Sequence, residues 1–198
     1  HTTIRRGYLN SSSKTFVAII EERTEEIKKK NDLEKRVNYD SLTGCLQRKY
    51  FENIVVDKIS SKKSFNLCFI DLDNFKMVND NYGHDAGDVV LKDTVSRINN
   101  NIRKNTDLLC RFGGDEFILY FNSNIPLERV LGNIISDLDS TFEIDGNKIN
   151  EVSASVGVVK YSSEENGETL ETLLKKADNA LYIAKNTGKN KYIIADKD

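Results

Sequence analysis

The chain has 198 residues, of which 29 are Lys or Arg and 31 are Asp or Glu, giving a formal net charge of −2. This length suffices for one domain with a sizeable core and an additional segment. The balanced charge excludes the basic excess of a typical nucleic-acid-binding protein, so we expect no nucleic-acid partner. No run of residues approaches the ~18 apolar positions that a transmembrane helix needs.

The cysteines favour a reducing compartment. Cys45, Cys68 and Cys110 stand far apart, without the spacing of a metal finger. Cys68 and Cys110 lie within apolar runs, which predicts buried core thiols. We therefore expect a cytoplasmic domain. Because the sequence begins at His1 rather than Met, we also expect it to be a piece of a longer protein. A membrane anchor could lie upstream of this piece in that protein.

The N-terminal part of the chain predicts one long helix. Residues 16–37 contain no Gly or Pro and are rich in Glu, Arg and Lys. A narrow apolar stripe runs along them: Phe16, Ile20, Ile27, Leu33 and Val37. This stripe favours a stalk that pairs with a second copy of the chain, and the alternative is a helix packed on its own domain. We divide the chain into an N-terminal segment with a signalling helix, residues 1–38, and a domain, residues 39–198.

Helices and strands alternate along the domain. Apolar periodicity predicts helices at residues 47–59, 74–81, 85–103, 126–142 and 169–186. Strands are predicted at residues 65–73, in a hairpin within 108–121, at 152–159 and at 192–194, with a turn at 145–147. One strand pair is a hairpin, so the sheet is not all parallel. We predict an α/β (α+β) domain with a central, mostly antiparallel sheet flanked by helices.

The hairpin carries two glycines and two acids at its tip, Gly113 to Glu116. Glycine permits positive φ and lets another group approach the backbone closely. The carboxylates of Asp115 and Glu116 are suitable ligands for a hard cation. The alternative is a solvated acidic turn, since Gly-Gly and Gly-Asp are ordinary turn residues.

A further acid, Asp71, lies near the end of the buried strand at residues 65–73. If this strand neighbours the hairpin, Asp71 and Asp115 meet at one edge of the sheet. Two carboxylates there need a cation, and Mg²⁺ with oxygen ligands is the natural one. Such ions stabilise attacking and leaving oxygens in phosphoryl chemistry. The alternative role of Asp71 is to cap the next helix.

Three lysines are candidates for binding phosphate. Lys76 lies at the start of a predicted helix, where backbone N–H groups and an ammonium can bind an anion. Lys185 and Lys189 flank the helix end at Gly188 and could form a second clamp. Lys76 is alternatively a plain surface residue, and the C-terminal pair alternatively complements the helix dipole.

Asn79 and Asp88 form a candidate base-recognition pair. An Asn side chain both donates and accepts hydrogen bonds, and an Asp carboxylate accepts two N–H bonds. Together they suit guanine, whose N1–H and N2–H₂ donate while O6 and N3 accept. The alternative is that both are solvated helix or cap residues.

These motifs resemble those of the GGDEF family of diguanylate cyclases. The family signature, G-G-D-E-F, stands at residues 113–117. Other family motifs stand in the family's order: D-x-L-T-G at 40–44, D-x-D-x-F-K-x-x-N-D at 71–80, G-H-x-x-G-D at 83–88, S-x-G at 155–157 and A-D-x-A-L-Y-x-A-K at 177–185. The resemblance covers nearly everything after the predicted N-terminal helix.

The resemblance implies a palm-like nucleotide cyclase domain, related in shape to polymerase palms. It implies that each domain binds one GTP, and that two domains face each other to join two GTP into cyclic di-GMP with release of two pyrophosphates. It also implies a homodimer, formed through the N-terminal helix and the facing sites, as the output module of an upstream sensor domain.

The resemblance also assigns roles residue by residue. It implies Mg²⁺ (or Mn²⁺) ligands at Asp71, the Leu72 carbonyl and Asp115, with Glu116 at the same site. Catalytic roles are implied for Asp71, Lys76, Asp115 and Glu116. Substrate contacts are implied for Asn74, Phe75, Lys76, Asn79, Asp88, Gly113, Gly114, Lys185 and Lys189. Asp88 also disfavours ATP, because adenine would place an acceptor against its carboxylate.

Two departures from the family pattern carry predictions. Lys189 stands where the family often has Arg, so the bidentate phosphate grip of a guanidinium is lost. The product-inhibition motif R-x-x-D is replaced by K-N-T-D at residues 104–107. We therefore expect feedback inhibition through Lys104 and Asp107 to be weak or absent.

Three functions are compatible with the sequence. The first is an active diguanylate cyclase. The second is a catalytically silent module that binds GTP or cyclic di-GMP, against which the intact Asp71, Lys76 and Asp115 count. The third is a mononucleotide cyclase on a similar palm, which the complete signature disfavours. The product formed from GTP and Mg²⁺ distinguishes them.

Overall fold

The computed structural model describes residues 24–29, 33, 35–144, 146–164 and 167–196. The chain divides into two units, and the second begins at Tyr39. The described residues at 24–29, 33 and 35–38 are helical, and the rest of the predicted helix at 16–37 lies outside the described residues. Ile27, Leu33 and Val37 of the apolar stripe are exposed. Nowhere in the described part of the chain is a helix both long and apolar enough to cross a membrane.

The second unit alternates helices and strands. Its helices are α1 (Arg48–Ser60), α2 (Phe75–Tyr82), α3 (His84–Asn101), α4 (Leu127–Leu138) and α5 (Leu170–Asn186). Its strands are β1 (Leu46–Gln47), β2 (Phe65–Asp73), β3 (Leu108–Gly113), β4 (Glu116–Asn122), β5 (Phe142–Ile144), β6 (Asn147–Ile149), β7 (Ser153–Tyr161) and β8 (Lys191–Ile194).

These strands form a six-stranded sheet in the order β1-β3-β4-β2-β7-β8 and a separate hairpin of β5 and β6. The β3–β4, β4–β2 and β2–β7 pairs are antiparallel, whereas β1–β3 and β7–β8 are parallel. The predicted mixed and mostly antiparallel sheet is therefore confirmed.

Strand β2 lies inside the sheet, and all nine of its residues are buried. Side chains alternate between the two faces of a strand. Cys68, Ile70 and Leu72 belong to the core under α3 and α4, and Leu67 and Phe69 belong to the core under α1 and α5. By the same alternation, the acids at positions 71 and 73 lie on the face that α1 and α5 cover.

The cysteines are core residues, as predicted for Cys68 and Cys110. Both side chains are fully buried, Cys45 is 5% exposed, and all three are free thiols. Burial raises the pKa of Cys45 to about 11 and that of Cys110 to about 12. Each therefore remains a protonated, apolar core group near neutral pH.

Helix α5 packs unusually close to strand β7 at Gly157. A Cβ atom at this position would collide with the Ala177 carbonyl and the Leu181 backbone N–H. Only glycine lets the helix backbone approach the strand to this distance. The close approach positions the last turn of α5, which carries Lys185, near the end of β2.

The predicted helix at residues 126–142 is wrong at its C-terminal end, because α4 ends at Leu138 and Phe142 begins strand β5. The chain leaves the helix where the guanidinium of Arg97 on α3 donates to the carbonyls of Asp137, Ser140 and Thr141. The same guanidinium lies 3.8 Å from the centre of the Phe142 ring. Tertiary contacts thus end α4 at a point where the apolar periodicity of the sequence predicts that the helix continues. The short strands β1, β5 and β6 were not predicted.

Candidate active site

The predicted acids meet at the edge of the sheet where β2 ends. Asp71 is paired in register with Glu116 on β4 and with Ser155 on β7. The Leu72 N–H donates to the Asp115 carbonyl at 3.3 Å. Strand β2 and the hairpin are therefore neighbours, which is the condition under which Asp71 and Asp115 were expected to converge.

A cavity of about 300 Å³ opens at this edge. Its lining residues come from the end of β2, the start of α2, the hairpin tip and the end of α5: Asp71, Leu72, Asp73, Asn74, Phe75, Lys76, Asp115, Lys185 and Lys189. All of these except Asp73 were predicted as site residues. The structure thus brings acids suited to a metal and lysines suited to phosphate into one cavity.

The acids of this edge repel one another. Burial raises the pKa of Asp71 above its usual range and the charges of Asp115 and Asp73 add to the shift, while Lys185 opposes it. Lys185 Nζ lies 2.7 Å from Asp71 Oδ2. Burial also raises the pKa of Glu116, with further contributions from Asp71 and Asp115. Additional positive charge would therefore be stabilised here.

Asn74 connects the start of α2 to two other segments. It has a left-handed backbone, with φ of 63°, immediately before the helix. Its Nδ2 donates to the Glu151 carbonyl at 2.9 Å, and its Oδ1 accepts from Lys189 Nζ at 3.0 Å. Lys189 is thereby held beside the N-terminal end of α2, where backbone N–H groups favour an anion.

Asp73 also lines the cavity, and it was not predicted from the sequence. It is 2% exposed and accepts hydrogen bonds from Ser153, Ser155 and the backbone N–H of Asn190. The alternation of β2 places it on the same face as Asp71. Its partners, however, lie 80 or more positions away in the sequence.

The predicted base-recognition pair lies on α2 and α3, and neither residue lines the cavity. Asn79 and Asp88 are both half-buried. A Cβ on Gly87 would collide with Asn79 Oδ1 and would lie 3.2 Å from Cζ of Phe75. Gly87 therefore leaves the space that the Asn79 amide occupies, and Phe75 connects this region to the cavity.

The remaining predicted residues lie outside the cavity. Gly113 and Gly114 form the exposed hairpin tip, where Gly114 has φ of 54°. Glu116 lines a different, larger cavity of about 590 Å³ together with Arg48, Phe112 and Asp178. Its side chain thus borders the acidic edge from the side of α5.

The oxygen donors at this edge fit magnesium. Among the residues that the structure describes, no cluster of three or more His, Cys, Asp or Glu side chains could hold a metal by itself. The available donors are the carboxylates of Asp71 and Asp115 and the carbonyl of Leu72, all lining the cavity. Mg²⁺ commonly binds through one or two carboxylates together with substrate phosphates, so this set is adequate.

Comparison with known proteins agrees with this geometry. The sequence model of the family described as diguanylate cyclase, GGDEF domain, matches residues 37–191. The chain belongs to the GGDEF family. The chain is 32% identical over 186 residues to the diguanylate cyclase DgcM of Escherichia coli K12, a match that covers 92% of the chain and 44% of DgcM.

Two further similar proteins carry different names. The cyclic di-GMP phosphodiesterase PdeB of Shewanella oneidensis is 34% identical over 185 residues, covering 92% of the chain and 21% of PdeB. A solved structure of the GGDEF domain of TpbB from Pseudomonas aeruginosa is 33% identical, with a TM-score of 0.72 over 80% of the chain and 94% of that structure. The chain spans less than half the length of DgcM and of PdeB.

Proposed function

We propose that this GGDEF domain is a diguanylate cyclase that condenses two GTP molecules into cyclic di-GMP and releases two pyrophosphates. The observation that carries the proposal is the cavity at the end of β2. It combines Asp71 and Asp115 with three lysines, Lys76, Lys185 and Lys189. Acids for a metal and cations for a triphosphate are the two requirements of phosphoryl transfer on a nucleotide.

Asp71, Asp115 and the Leu72 carbonyl would hold Mg²⁺ or Mn²⁺, with Glu116 at the border of the site. The bound ion supplies charge stabilisation to the reacting phosphate. Lys76, Lys185, Lys189 and the backbone at Asn74 and Phe75 bind the triphosphate. Asn79 and Asp88 bind the guanine edge, which aligns the nucleotide relative to the phosphate-binding lysines.

The reaction requires two nucleotides. The 3′-hydroxyl of one GTP attacks the α-phosphorus of the other and releases its proton to solvent. The new P–O bond forms while the bond from the α-phosphorus to the bridging oxygen of the β-phosphate breaks, and pyrophosphate leaves. A second, equivalent attack closes the ring. One such cavity per domain suits one GTP, so we propose that two copies of the domain face each other.

We propose that the two copies also pair through the N-terminal helix. Ile27, Leu33 and Val37 are exposed on the described helical residues, where a second copy would cover them. The greater length of DgcM and PdeB supports a parent protein with additional domains, one of which would act as the sensor. Three buried free thiols fit a cytoplasmic location.

A second candidate is a silent module that binds GTP without turning it over. The observation that favours it is PdeB, which is named as a phosphodiesterase and yet contains a region 34% identical to this chain. Asp71, Lys76 and Asp115 are all present and line one cavity here. That complement of residues favours the active cyclase.

The test is incubation of the chain with GTP and Mg²⁺ at several protein concentrations, with the products resolved by chromatography. Cyclic di-GMP should form at a rate that rises more steeply than linearly with enzyme. Asp115→Asn should abolish the product, whereas Asp139→Asn, at an exposed position just after α4, should not. GTP binding without product at any concentration would establish the silent module instead, and no GTP binding would refute both.

A further inference from the structure

We propose that Asp73 is a positioning residue for the phosphate-binding lysine Lys189. Through hydrogen bonds, its carboxylate connects the turn that follows α5 to the ends of β2 and β7. This connection holds the Lys189 ammonium beside the cavity. Lys189 is separated from Asp73 by more than a hundred positions in the sequence. The inference rests on the proposed binding of GTP and deepens it.

Asp73 is the buried charge at this edge that the proposed reaction does not use. Its carboxylate is almost completely shielded from water, with the residue 2% exposed. Burying a charge is unfavourable unless hydrogen bonds compensate it. The local structure therefore depends on the hydrogen bonds that the Asp73 carboxylate accepts.

The bonds of Asp73 join three segments. Oδ1 accepts from Ser155 Oγ at 2.9 Å, and Oδ2 accepts from Ser153 Oγ at 3.0 Å. Both serines lie on β7, and Ser153 is the residue paired directly with Asp73. Oδ2 also accepts from the Asn190 backbone N–H at 3.2 Å. The last bond connects the sheet to the turn after α5.

That turn has an unfavourable backbone and needs such a connection. Gly188, Lys189 and Asn190 all have positive φ, of 114°, 60° and 48°. Residues other than glycine are disfavoured in this region and persist there when the surrounding structure holds them. The Lys189 N–H donates to the Ala184 carbonyl at 3.0 Å, which holds the turn to α5, and the bond from Asn190 to Asp73 holds it to the sheet.

The held turn places the Lys189 side chain beside the proposed phosphate-binding region. The backbone of the turn is held by the bonds to Ala184 and Asp73. From there the Lys189 ammonium donates to Asn74 Oδ1 at 3.0 Å, immediately before α2. Both carboxylate oxygens of Asp73 accept hydrogen bonds from β7 or from the turn after α5. Asp73 lies two residues from Asp71 on the same face of β2, but it acts through Lys189.

The test measures affinity rather than turnover. The probe is 3′-deoxy-GTP with Mg²⁺, which lacks the attacking hydroxyl, titrated calorimetrically into the 198-residue chain. Asp73→Ala should weaken binding about tenfold. Asp73→Asn can keep an oxygen that accepts from the Asn190 N–H and from Ser153, while its amide nitrogen faces the Ser155 hydroxyl, so it should restore affinity to within about threefold.

A double-mutant cycle separates positioning from general destabilisation. Lys189→Ala should weaken binding by itself, and adding Asp73→Ala should then weaken it by less than about twofold, because the group that Asp73 positions is already gone. Additive losses, or an Asp73→Ala variant that binds like the unaltered chain, would overturn the inference. Melting temperatures of all variants verify that they are folded.

Two further outcomes are informative. If Asp73→Ala does not fold, Asp73→Ser keeps a polar group but withdraws it from the Asn190 N–H, and the same losses are expected in the same cycle. If the unaltered chain binds no 3′-deoxy-GTP, the proposed function fails and the inference fails with it. If the unaltered chain binds and Asp73 variants bind equally well, only the inference fails.

Discussion

Arg111 forms an ion pair with Asp40, with Nη1 3.3 Å from Oδ1. The same guanidinium donates through Nε to the Gly114 carbonyl at 2.9 Å. Asp40 is held in turn by Thr43, whose N–H and hydroxyl both donate to Oδ1. One side chain on β3 thus joins the first turn of the domain to the hairpin tip that carries Asp115.

The first prediction concerns this link. Arg111→Lys keeps the charge but has a single ammonium in place of the planar fork, so it does not bond both Asp40 and Gly114. We expect the rate of cyclic di-GMP formation to fall about tenfold, because a small displacement of Asp115 is costly for catalysis. The measurement is the initial rate at saturating GTP. Arg129→Lys, at an exposed position on α4, is the matched control, and equal rates in both variants would contradict the prediction.

The second prediction is a pH dependence of stability at Asp40. Burial raises the pKa of Asp40, but the hydrogen bonds from Thr43 and the charge of Arg111 outweigh burial and hold it below its usual value. A carboxyl whose pKa is lower in the folded state stabilises the fold above its ordinary pKa. That contribution is lost as pH falls through the folded-state pKa.

Asp40→Asn should therefore lower the melting temperature at about pH 7, and the difference from the unaltered chain should shrink as pH falls from about 5 to about 3. Thermal unfolding of both proteins over this range is the measurement. The raised pKa values of Asp71 and Glu116 act in the opposite direction, but they are common to both proteins and cancel in the difference. A gap that stays constant with pH would show that Asp40 does not contribute through its charge.

The third prediction concerns guanine recognition. In Gly87→Ala the new methyl group collides with Asn79 Oδ1, so the amide has to move. We expect GTP affinity to fall about tenfold, since the site loses a hydrogen-bonding group from its working position. The measurement is a titration with GTP and, for comparison, with ATP, whose binding should change less.

Gly132→Ala is the matched control for this substitution. Gly132 also lies within a helix, but a Cβ there meets nothing within 4 Å. It should leave GTP affinity unchanged and stabilise the fold by about 0.5–1 kcal/mol through helix propensity. If both alanine variants bind GTP equally well, Gly87 does not set the position of Asn79.

The fourth prediction is that product inhibition through Lys104 and Asp107 is weak or absent. Arg103 engages both oxygens of Asp107, with Nη2 2.9 Å from Oδ1 and Nε 3.1 Å from Oδ2. The Asp107 side chain is 2% exposed. We therefore expect this carboxylate to act as a structural part of the turn before β3 rather than as a ligand for cyclic di-GMP.

The measurement is the initial rate with increasing cyclic di-GMP at low and at high GTP. Any inhibition should disappear at high GTP, as expected for competition at the active site, and Lys104→Ala should behave like the unaltered chain. Inhibition that persists at high GTP and is lost in Lys104→Ala would contradict the prediction.

The sequence was sufficient for the parts of the site that local pattern determines. The apolar run of β2 predicted where Asp71 would lie, and the glycines predicted the hairpin that carries Asp115. Their convergence needed only that the two strands be neighbours. The motifs also pointed to the lysines that line the cavity, because Lys76 and Lys185 lie at helix ends that the periodicity locates.

Features that depend on distant partners were not predictable in this way. The role of Asp73 depends on Ser153 and on Asn190, which are 80 and 117 positions away. The role of Arg111 likewise depends on Asp40, 71 positions away. The end of α4 depends on Arg97 of another helix, which competes with a helical pattern that the local sequence continues. In each case a tertiary hydrogen bond decides the outcome.

The interior position of β2 affects the exchange of backbone amide hydrogens around the cavity. Its amides are paired with strands on both sides, so their exchange with solvent requires the sheet to separate, an opening close in free energy to complete unfolding. The hairpin tip at Gly114 is exposed and can open locally. A bound nucleotide would thus lie between slowly exchanging β2 amides and a hairpin tip whose amide protection rises on binding.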